Sequence, residues 1–175
     1  MEKLKLILNY EQIQQKIKEL AEKIEKDFKD ESIVFIGILK GAFVFLADLV
    51  KNIKNPNIEI DFVRLRSYGM SDTSSGKVEI IKDVELPLKD KNVIIVEDIV
   101  DTGITLNFLL NHLKKFSPKI IKICTLIDKK ERREKKVPID YIGFEVEKGF
   151  LVGYGLDYAE RYRHLPGIYE VIKDE

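Results

Sequence analysis

The chain has 175 residues, of which 45% are hydrophobic and 34% are charged, values typical of a globular protein that buries its core in one domain, here residues 1–175. Its 30 basic and 30 acidic residues give a formal net charge of +0, which argues against a dedicated nucleic-acid-binding protein because such proteins are usually basic. No apolar run approaches the length of a membrane span, and the apolar stretch near the N-terminus is too short for a signal peptide. We therefore expect a cytoplasmic protein that binds neither nucleic acid nor membrane.

In chain order, apolar residues at helical spacing predict a first helix over residues 10–28, with Asn9 as its N-cap. A buried strand, "SIVFIGIL", and a second helix, "GAFVFLADLVKNI", follow, and we expect Phe43 to pack inward from that helix. Strands are then predicted in "NIEIDFVRLRSY", "KVEIIKDVEL" and "KNVIIVED", followed by a helix over about residues 103–116. The last predicted strands are "KIIKICTLID", "YIGFEV", "FLVGYGLD" and "IYEVI". Because strands alternate with helices through the middle of the chain, the predicted fold class is α/β, with a parallel sheet core flanked by helices.

The stretch "VIIVEDIVDTGITL", residues 93–106, combines a buried strand with groups that bind ligands. Glu97 and Asp98 stand at the predicted carboxyl end of the strand, where open α/β sheets bind their ligands. Gly103 opens the next helix, whose first N–H groups lack intrahelical acceptors and attract anions. A ligand that carries a sugar diol, a phosphate and a bound Mg²⁺ would satisfy both the carboxylates and the helix start. The alternative, an ordinary Asp-rich turn, explains each residue singly but not the whole stretch.

Other nucleotide and metal sites fit the sequence badly. Carboxylates stand where a dinucleotide-binding fold needs G-x-G-x-x-G, and "GYGLDY" lacks the third glycine of that pattern. There is no P-loop motif and no Cys/His set at zinc spacing. We expect His112 to be structural and Cys124, the single cysteine, to be a buried thiol.

Five segments together carry a family resemblance. The stretch at residues 93–106 resembles the phosphoribosyl-pyrophosphate (PRPP) motif of type I phosphoribosyltransferases, and within that family the chain resembles the bacterial hypoxanthine-guanine group over nearly its whole length. The other segments resemble the pyrophosphate loop, the mobile lid and two purine-binding segments of that group: "GILKGAF" (37–43), "RSYGMSDTSSGK" (66–77), "LIDKKERR" (126–133) and "FLVGYGLDYAERYR" (150–163). The resemblance implies the type I phosphoribosyltransferase fold, with a small hood from terminal segments over the base site.

The implied activity is purine salvage, in which the 5-phosphoribosyl group of PRPP moves to N9 of hypoxanthine or guanine and gives IMP or GMP and pyrophosphate. The resemblance makes Asp101 the catalytic general base near purine N7. It assigns Glu97 and Asp98 to the ribose hydroxyls and to Mg²⁺, with Asp157 as a further metal ligand beside the purine. The implied 5′-phosphate cradle consists of Thr102, Gly103, Ile104 and Thr105.

The resemblance also implies how the leaving group is held. Lys40, Gly41 and Arg163 are placed at the pyrophosphate, and the Leu39–Lys40 peptide bond is cis in at least some states of the family. The lid, about residues 67–77, is rich in small polar residues and is expected to close over the site and exclude water. The lid residues that would close onto the pyrophosphate are Ser67 and Tyr68.

For the purine, the resemblance implies that Lys129 donates to O6, that Phe150 stacks on the ring and that the Leu151 backbone reads the base edge. Most of the basic run "DKKERREKK" is interpreted as a solvated loop rather than an RNA-binding patch. Two alternatives stay open, a xanthine-preferring phosphoribosyltransferase and a PRPP-sensing regulatory protein without turnover. The lid and Lys129 favour an enzyme, since a sensor needs neither water exclusion nor an O6 donor. A homodimer or homotetramer is implied by the family.

Overall fold

The structure, a computed structural model, describes residues 1–68 and 77–173. Six strands form a main sheet in the order β4-β3-β2-β5-β6-β7, with β3, β2, β5, β6 and β7 parallel and β4 antiparallel at one edge. This arrangement confirms the predicted α/β class with a largely parallel core. The elements are β1 (Lys3–Leu8), α1 (Tyr10–Phe28), β2 (Ile33–Leu39), α2 (Phe43–Lys51), β3 (Ile58–Tyr68), β4 (Lys77–Lys82), β5 (Asn92–Val100), α3 (Ile104–Lys114), β6 (Ile120–Lys129), β7 (Tyr141–Val146), β8 (Leu151–Val152) and β9 (Ile168–Ile172).

The central strands of the main sheet are buried on both faces, because successive side chains point into two different cores. Ile33 and Phe35 of β2 pack in a first core with α1 and α2, whereas Val34 and Ile36 pack in a second core with α3. Helices therefore cover both faces of the sheet. The edge at the carboxyl ends of the strands remains available for ligands, as in other open α/β sheets.

Local interactions set the first helix, whereas the second departs from its prediction. Asn9 Oδ1 accepts from the Gln12 N–H at 2.8 Å, and Gln12 Oε1 accepts from the Asn9 N–H at 2.9 Å, which completes a capping box and confirms the predicted start of α1. The inward packing predicted for Phe43 is wrong, because its side chain is 45% exposed. Helix α2 begins only at Phe43. Its buried stripe passes through Leu46 and Leu49 and is rotated by roughly 100° about the helix axis from the direction of Phe43.

Strand β5 is longer than the sequence predicts. The expected strand ended at Asp98, but β5 continues to Val100, where it still pairs with Asp128 of β6. The extension has a simple cause, since β6 itself runs to Lys129 and pairs with Glu97, Ile99 and Val100 of β5. Glu97 and Asp98 are consequently strand residues, held by the sheet rather than by a loop.

The three remaining strands form an antiparallel terminal sheet in the order β1-β9-β8, built from the first and last segments of the described chain. Leu151 and Ile168 of this terminal sheet join the first core, and the Tyr154 hydroxyl donates to the Asp48 carboxylate of α2. These contacts fix the terminal sheet against the main sheet. Within residues 1–68 and 77–173, no helix is both long enough and apolar enough to cross a membrane.

Candidate active site

Residues 97–105, called here the strand-end region, connect the last part of β5 to the first turn of α3. Most of them line a cavity of about 150 Å³. Gly103, the N-cap of α3, has a φ of +81°, and a Cβ there would lie 2.3 Å from the Lys135 carbonyl oxygen, so a larger residue would be both strained and obstructed. The Ile104 N–H donates to Thr102 Oγ1 at 3.3 Å. Because the first turn of a helix presents backbone N–H groups without intrahelical acceptors, this cavity is suited to an anion.

Two adjacent carboxylates in β5 oppose each other electrostatically. Burial and the charge of Asp98 raise the pKa of Glu97 well above its usual range, and burial also raises the pKa of Asp98, which is 9% exposed. Asp98 lies directly over the loop after β2, since a Cβ on Gly41 would be 2.0 Å from Asp98 Oδ2. A side chain at position 41 would therefore displace the Asp98 carboxylate. A cation placed here would relieve the repulsion between the two carboxylates.

Lys129 and Asp101 meet at the ends of β6 and β5. Lys129 is only 6% exposed, and its Nζ donates to the Gly149 carbonyl oxygen at 3.0 Å and lies 3.7 Å from Asp101 Oδ2. Arg132 Nη1 approaches the same Oδ2 at 3.5 Å. Asp101 Oδ1 is buried and has no hydrogen-bond partner within the described part of the chain. A buried acceptor left unpaired is costly, so this oxygen is positioned to receive a proton from a ligand.

Two of the four residues predicted to bind the purine, Lys129 and Phe150, line a second cavity, whereas Leu151 and Asp157 do not. Lys129, Gly149 and Phe150 line this space, which has a volume of about 460 Å³. The Phe150 ring is 45% exposed and contacts Tyr158 at right angles, with 5.5 Å between ring centroids, while Leu151 beside it is buried in β8. An aromatic ring held in place but open over nearly half its surface can stack on a planar ligand.

Residues 157–163, called here the terminal turn, bring a set of charges from the terminal sheet to the loop after β2. Glu160 accepts from Lys40 Nζ at 2.9 Å and from Arg163 Nη2 at 3.2 Å, and Arg163 Nη2 also lies 3.4 Å from Asp157 Oδ1. The two cations predicted to hold pyrophosphate therefore share one glutamate. A Cβ on Gly155 would lie 2.2 Å from the Gly41 carbonyl oxygen, which shows how closely the two segments approach.

The Leu39–Lys40 peptide bond is cis, the conformation that the family resemblance implies for at least some states. Two other parts of the predicted site, the lid and the set of metal ligands, are less complete in the structure. Ser67 and Tyr68 form the exposed end of β3, but residues 69–76 of the predicted lid lie outside the described residues. No group of three or more His, Cys, Asp or Glu side chains is gathered as a metal site in residues 1–68 and 77–173. Protein side chains alone thus do not complete the predicted set of Glu97, Asp98 and Asp157.

Sequence reasoning missed two residues of the site and interpreted two others correctly. Arg133 stands in a segment that resembles a purine-binding segment and in a basic run interpreted mostly as a solvated loop, and no role was predicted for it. Only 20% of its side chain is exposed, and it contacts the ends of both β5 and β6. Glu160 was assigned no role. As predicted, Cys124 is a buried free thiol, and His112 is held structurally, with Nε2 3.0 Å from both oxygens of Asp83. No local pattern marks Arg133 or Glu160, because their partners are distant in the sequence.

The site combines a helix start suited to an anion, paired carboxylates beside it and a cavity next to Lys129 and Phe150. Comparison with known proteins identifies the family to which the chain belongs. The family model described as "Phosphoribosyl transferase domain" matches residues 5–159. The chain belongs to the phosphoribosyltransferase family and is a transferase, which confirms the fold and the enzyme class predicted from the sequence.

Individual relatives show which members of the family the chain resembles. A hypoxanthine-guanine phosphoribosyltransferase of Bacillus subtilis is 46% identical over 164 residues, covering 94% of this chain and 91% of the relative. One of Aquifex aeolicus is 45% identical over 170 residues, covering 97% and 95%. The crystal structure of a hypoxanthine-guanine phosphoribosyltransferase from Bacillus anthracis, with a HEPES molecule in its active site, superposes with a TM-score of 0.93 at 48% identity, covering 98% of this chain and 100% of that one.

Proposed function

We propose that this phosphoribosyltransferase transfers the 5-phosphoribosyl group of PRPP to N9 of hypoxanthine or guanine, giving IMP or GMP and pyrophosphate in purine salvage. The substrates named for the Bacillus subtilis and Aquifex aeolicus relatives support this choice of bases. One observation carries the proposal. Lys129 lies beside the half-satisfied carboxylate of Asp101, so a 6-oxopurine meets a donor and an acceptor next to each other.

Asp101 is the proposed general base. As the bond from the ribose to pyrophosphate weakens, positive charge develops at the anomeric carbon and the purine must release a proton. A carboxylate near purine N7 can accept or share that proton while the bond to N9 forms. Oδ1 of Asp101 suits this role because it is buried and unpaired among the described residues, whereas Oδ2 faces Lys129 and Arg132.

Lys129 is the proposed reader of the 6-position. Its ammonium has hydrogen-bond donors and no acceptor, so it can pair with the O6 of hypoxanthine or guanine but not with the amino group of adenine. The contact to the Gly149 carbonyl occupies one donor and orients the others. Phe150 would stack on the purine ring, and the backbone of Leu151 would contact the base edge. Thr102 to Thr105 would hold the 5′-phosphate at the start of α3.

We infer a requirement for Mg²⁺ from the same carboxylates. Glu97 and Asp98 would hold the ion together with hydroxyl and phosphate oxygens of PRPP, because Mg²⁺ usually combines one or two carboxylates with substrate oxygens and water. Asp157 would be a further metal ligand from the terminal turn. The raised pKa values of Glu97 and Asp98 support a cation at this point. When bound, Mg²⁺ neutralises negative charge on the leaving pyrophosphate. Lys40 and Arg163 would add positive charge to the pyrophosphate from the protein.

The test is a nucleotide-formation assay with purified protein, PRPP, Mg²⁺ and hypoxanthine, guanine, xanthine, adenine or uracil in separate reactions. We expect IMP and GMP to form, negligible AMP, no product in excess chelator and full recovery when Mg²⁺ is added back. A preference for xanthine would change the proposed base. Binding of PRPP with no nucleotide from any base would instead indicate the PRPP-sensing regulator. Turnover that persists in chelator would reject the metal site.

Two further expectations accompany the proposal. By resemblance to the family, we propose a cytoplasmic protein that assembles as a homodimer or homotetramer. Light scattering coupled to size-exclusion chromatography would distinguish these from a monomer of 20.3 kDa.

A further inference from the structure

Arg133 connects the ends of β5 and β6 through its guanidinium group. Its Nε donates to the Asp101 carbonyl oxygen at 2.8 Å, and its Nη2 lies 3.2 Å from the Val100 carbonyl oxygen and 3.3 Å from the Lys129 carbonyl oxygen. The same Nη2 pairs with the carboxylate of Asp128, which is 2% exposed. One side chain therefore holds the backbone of both Asp101 and Lys129.

The residues that follow Arg133 extend this connection into the strand-end region. The N–H groups of Glu134 and Lys135 donate to the Thr102 carbonyl oxygen at 2.8 and 2.9 Å. A Cβ on Gly103 would lie only 2.3 Å from the Lys135 carbonyl oxygen, so the segment packs directly against the turn before α3. Residues 133–135 are therefore bonded to residues 100–102 through several backbone groups. The Arg133 guanidinium makes the contacts nearest Asp101.

We propose that Arg133 is a positioning residue for phosphoribosyl transfer. By holding the backbone of both residues, it sets the spacing between the carboxylate of Asp101 and the ammonium of Lys129. The inference rests on the proposed function, in which both groups contact the base. The Asp101 side chain has no hydrogen bond to its Oδ1 among the described residues, so its direction depends on how its backbone is held. A misplacement of about 1 Å in a catalytic group can reduce the rate by up to about 10²-fold.

A lysine cannot replace this arginine without loss. The guanidinium is planar and has donors fixed in a fork, which reach carbonyl oxygens on two strands together, whereas an ammonium is a compact charge on a flexible stem. Lysine would nevertheless keep a positive charge beside Asp128, whose buried carboxylate would otherwise be unpaired. Arg133→Lys therefore separates positioning from the need to neutralise Asp128.

The experiment compares Arg133→Lys in the wild-type and Asp101→Asn backgrounds, with kcat, the KM values for hypoxanthine and PRPP, and the melting temperature measured for each protein. In the wild-type background we expect kcat to fall by about 10- to 100-fold, with a melting temperature within a few degrees of the wild type. In the Asp101→Asn background, the same substitution should lower kcat by less than about threefold, because the carboxylate that it positions has already been removed.

Controls make each outcome decisive. Lys136→Ala removes an exposed cation from the same loop and should leave kcat unchanged. If Arg133→Lys is unstable, Arg133→Met combined with Asp128→Asn removes both charges of the ion pair and provides the same comparison. A wild-type kcat for Arg133→Lys, or an equal loss in both backgrounds, overturns the inference while leaving the proposed function intact. A wild-type protein that is inactive with every base overturns both.

Discussion

The strand-end region and the terminal turn both supply charges to the site, but they hold those charges in opposite ways. In the strand-end region, burial and the charge of Asp98 raise the pKa of Glu97, so its charged form is unfavourable before a ligand binds. In the terminal turn, hydrogen bonds from Lys40 and Arg163 lower the pKa of Glu160, so its charged form is already satisfied. A ligand at the first region relieves an unfavourable arrangement, whereas a ligand at the second must displace a favourable one.

The difference follows from how each region is built. The strand-end region stands on a buried parallel strand whose backbone is fixed by two neighbours, and a protein can keep like charges together on such support. The terminal turn is exposed, and three of its non-glycine residues have positive φ values: Ala159, Glu160 and Tyr162. Exposed ion pairs hold this turn in place. Its contacts can therefore be exchanged for contacts to a ligand more easily than those of the strand-end region. Substitutions in the strand-end region should therefore have the larger effects.

The largest effect is expected for Asp101→Asn, which keeps the size of the side chain and removes the base. The loss of a general base lowers kcat by about 10²- to 10⁴-fold, and we expect a value in this range from steady-state assays with hypoxanthine. PRPP affinity, measured by calorimetry, should be largely retained because the backbone N–H groups of the cradle are unchanged. A kcat near that of the wild type would remove Asp101 from the catalytic residues.

A smaller loss is expected for Lys129→Ala. A hydrogen bond to a charged group contributes about 1.5–3 kcal/mol, which corresponds to a loss of roughly 10- to 10²-fold in kcat/KM for hypoxanthine and guanine. Most of the change should appear as a higher KM for the base, while the KM for PRPP changes little.

Lys130→Ala is the matched control, because this neighbouring side chain is 63% exposed and pairs with Glu145. It should behave as the wild type. Damage from Lys130→Ala together with a silent Lys129→Ala would show that the purine-binding segment is misassigned by one residue. If both were silent and adenine were still rejected, the 6-position would have to be read elsewhere.

Most of these predictions concern parts of the site that could be predicted from the sequence. Helix α1 could be predicted to the residue because its capping box, Asn9 with Gln12, is formed by neighbours in the chain. The strand-end region was recognisable for a similar reason, since its carboxylates, glycine and threonines follow one another. Arg133 was not, because its acceptors Val100 and Asp101 lie more than 30 residues earlier and only the pairing of β5 with β6 brings them close. The inward packing of Phe43 was predicted wrongly because the spacing of apolar residues does not show at which residue α2 begins.

The raised pKa of Glu97 makes the stability of the metal-free protein depend on pH. A carboxyl whose pKa is higher in the folded state favours folding while it is protonated, so this contribution is complete below its ordinary pKa of 4.5 and is lost as pH rises through the folded value. Glu97→Gln removes the ionisable group. We expect it to raise the melting temperature in chelator by a few degrees at pH 8 and to have a smaller effect at pH 5.

The natural comparison for this measurement is Glu145→Gln, which changes an exposed glutamate on β7. It should give similar shifts at the two pH values. A melting temperature of Glu97→Gln that is lower than the wild type at pH 8 would mean that the Glu97 carboxylate stabilises the free protein, contrary to its environment. The strand-end region would then resemble the terminal turn in how it holds charge.

The smallest effect is expected in the terminal turn itself, for Glu160→Gln. Glutamine removes the negative charge that occupies Lys40 and Arg163, so both cations become more available to the pyrophosphate group of PRPP. Glu160 is 63% exposed, and exposed ion pairs contribute about 0.2–1 kcal/mol, which limits the gain in PRPP affinity to about fivefold or less. Calorimetry with PRPP and Mg²⁺ measures the change, and the gain should shrink in high salt because exposed charges are screened. Weaker binding by Glu160→Gln would show that the glutamate organises the two cations rather than competing for them, and the terminal turn would then be a preformed part of the pyrophosphate site.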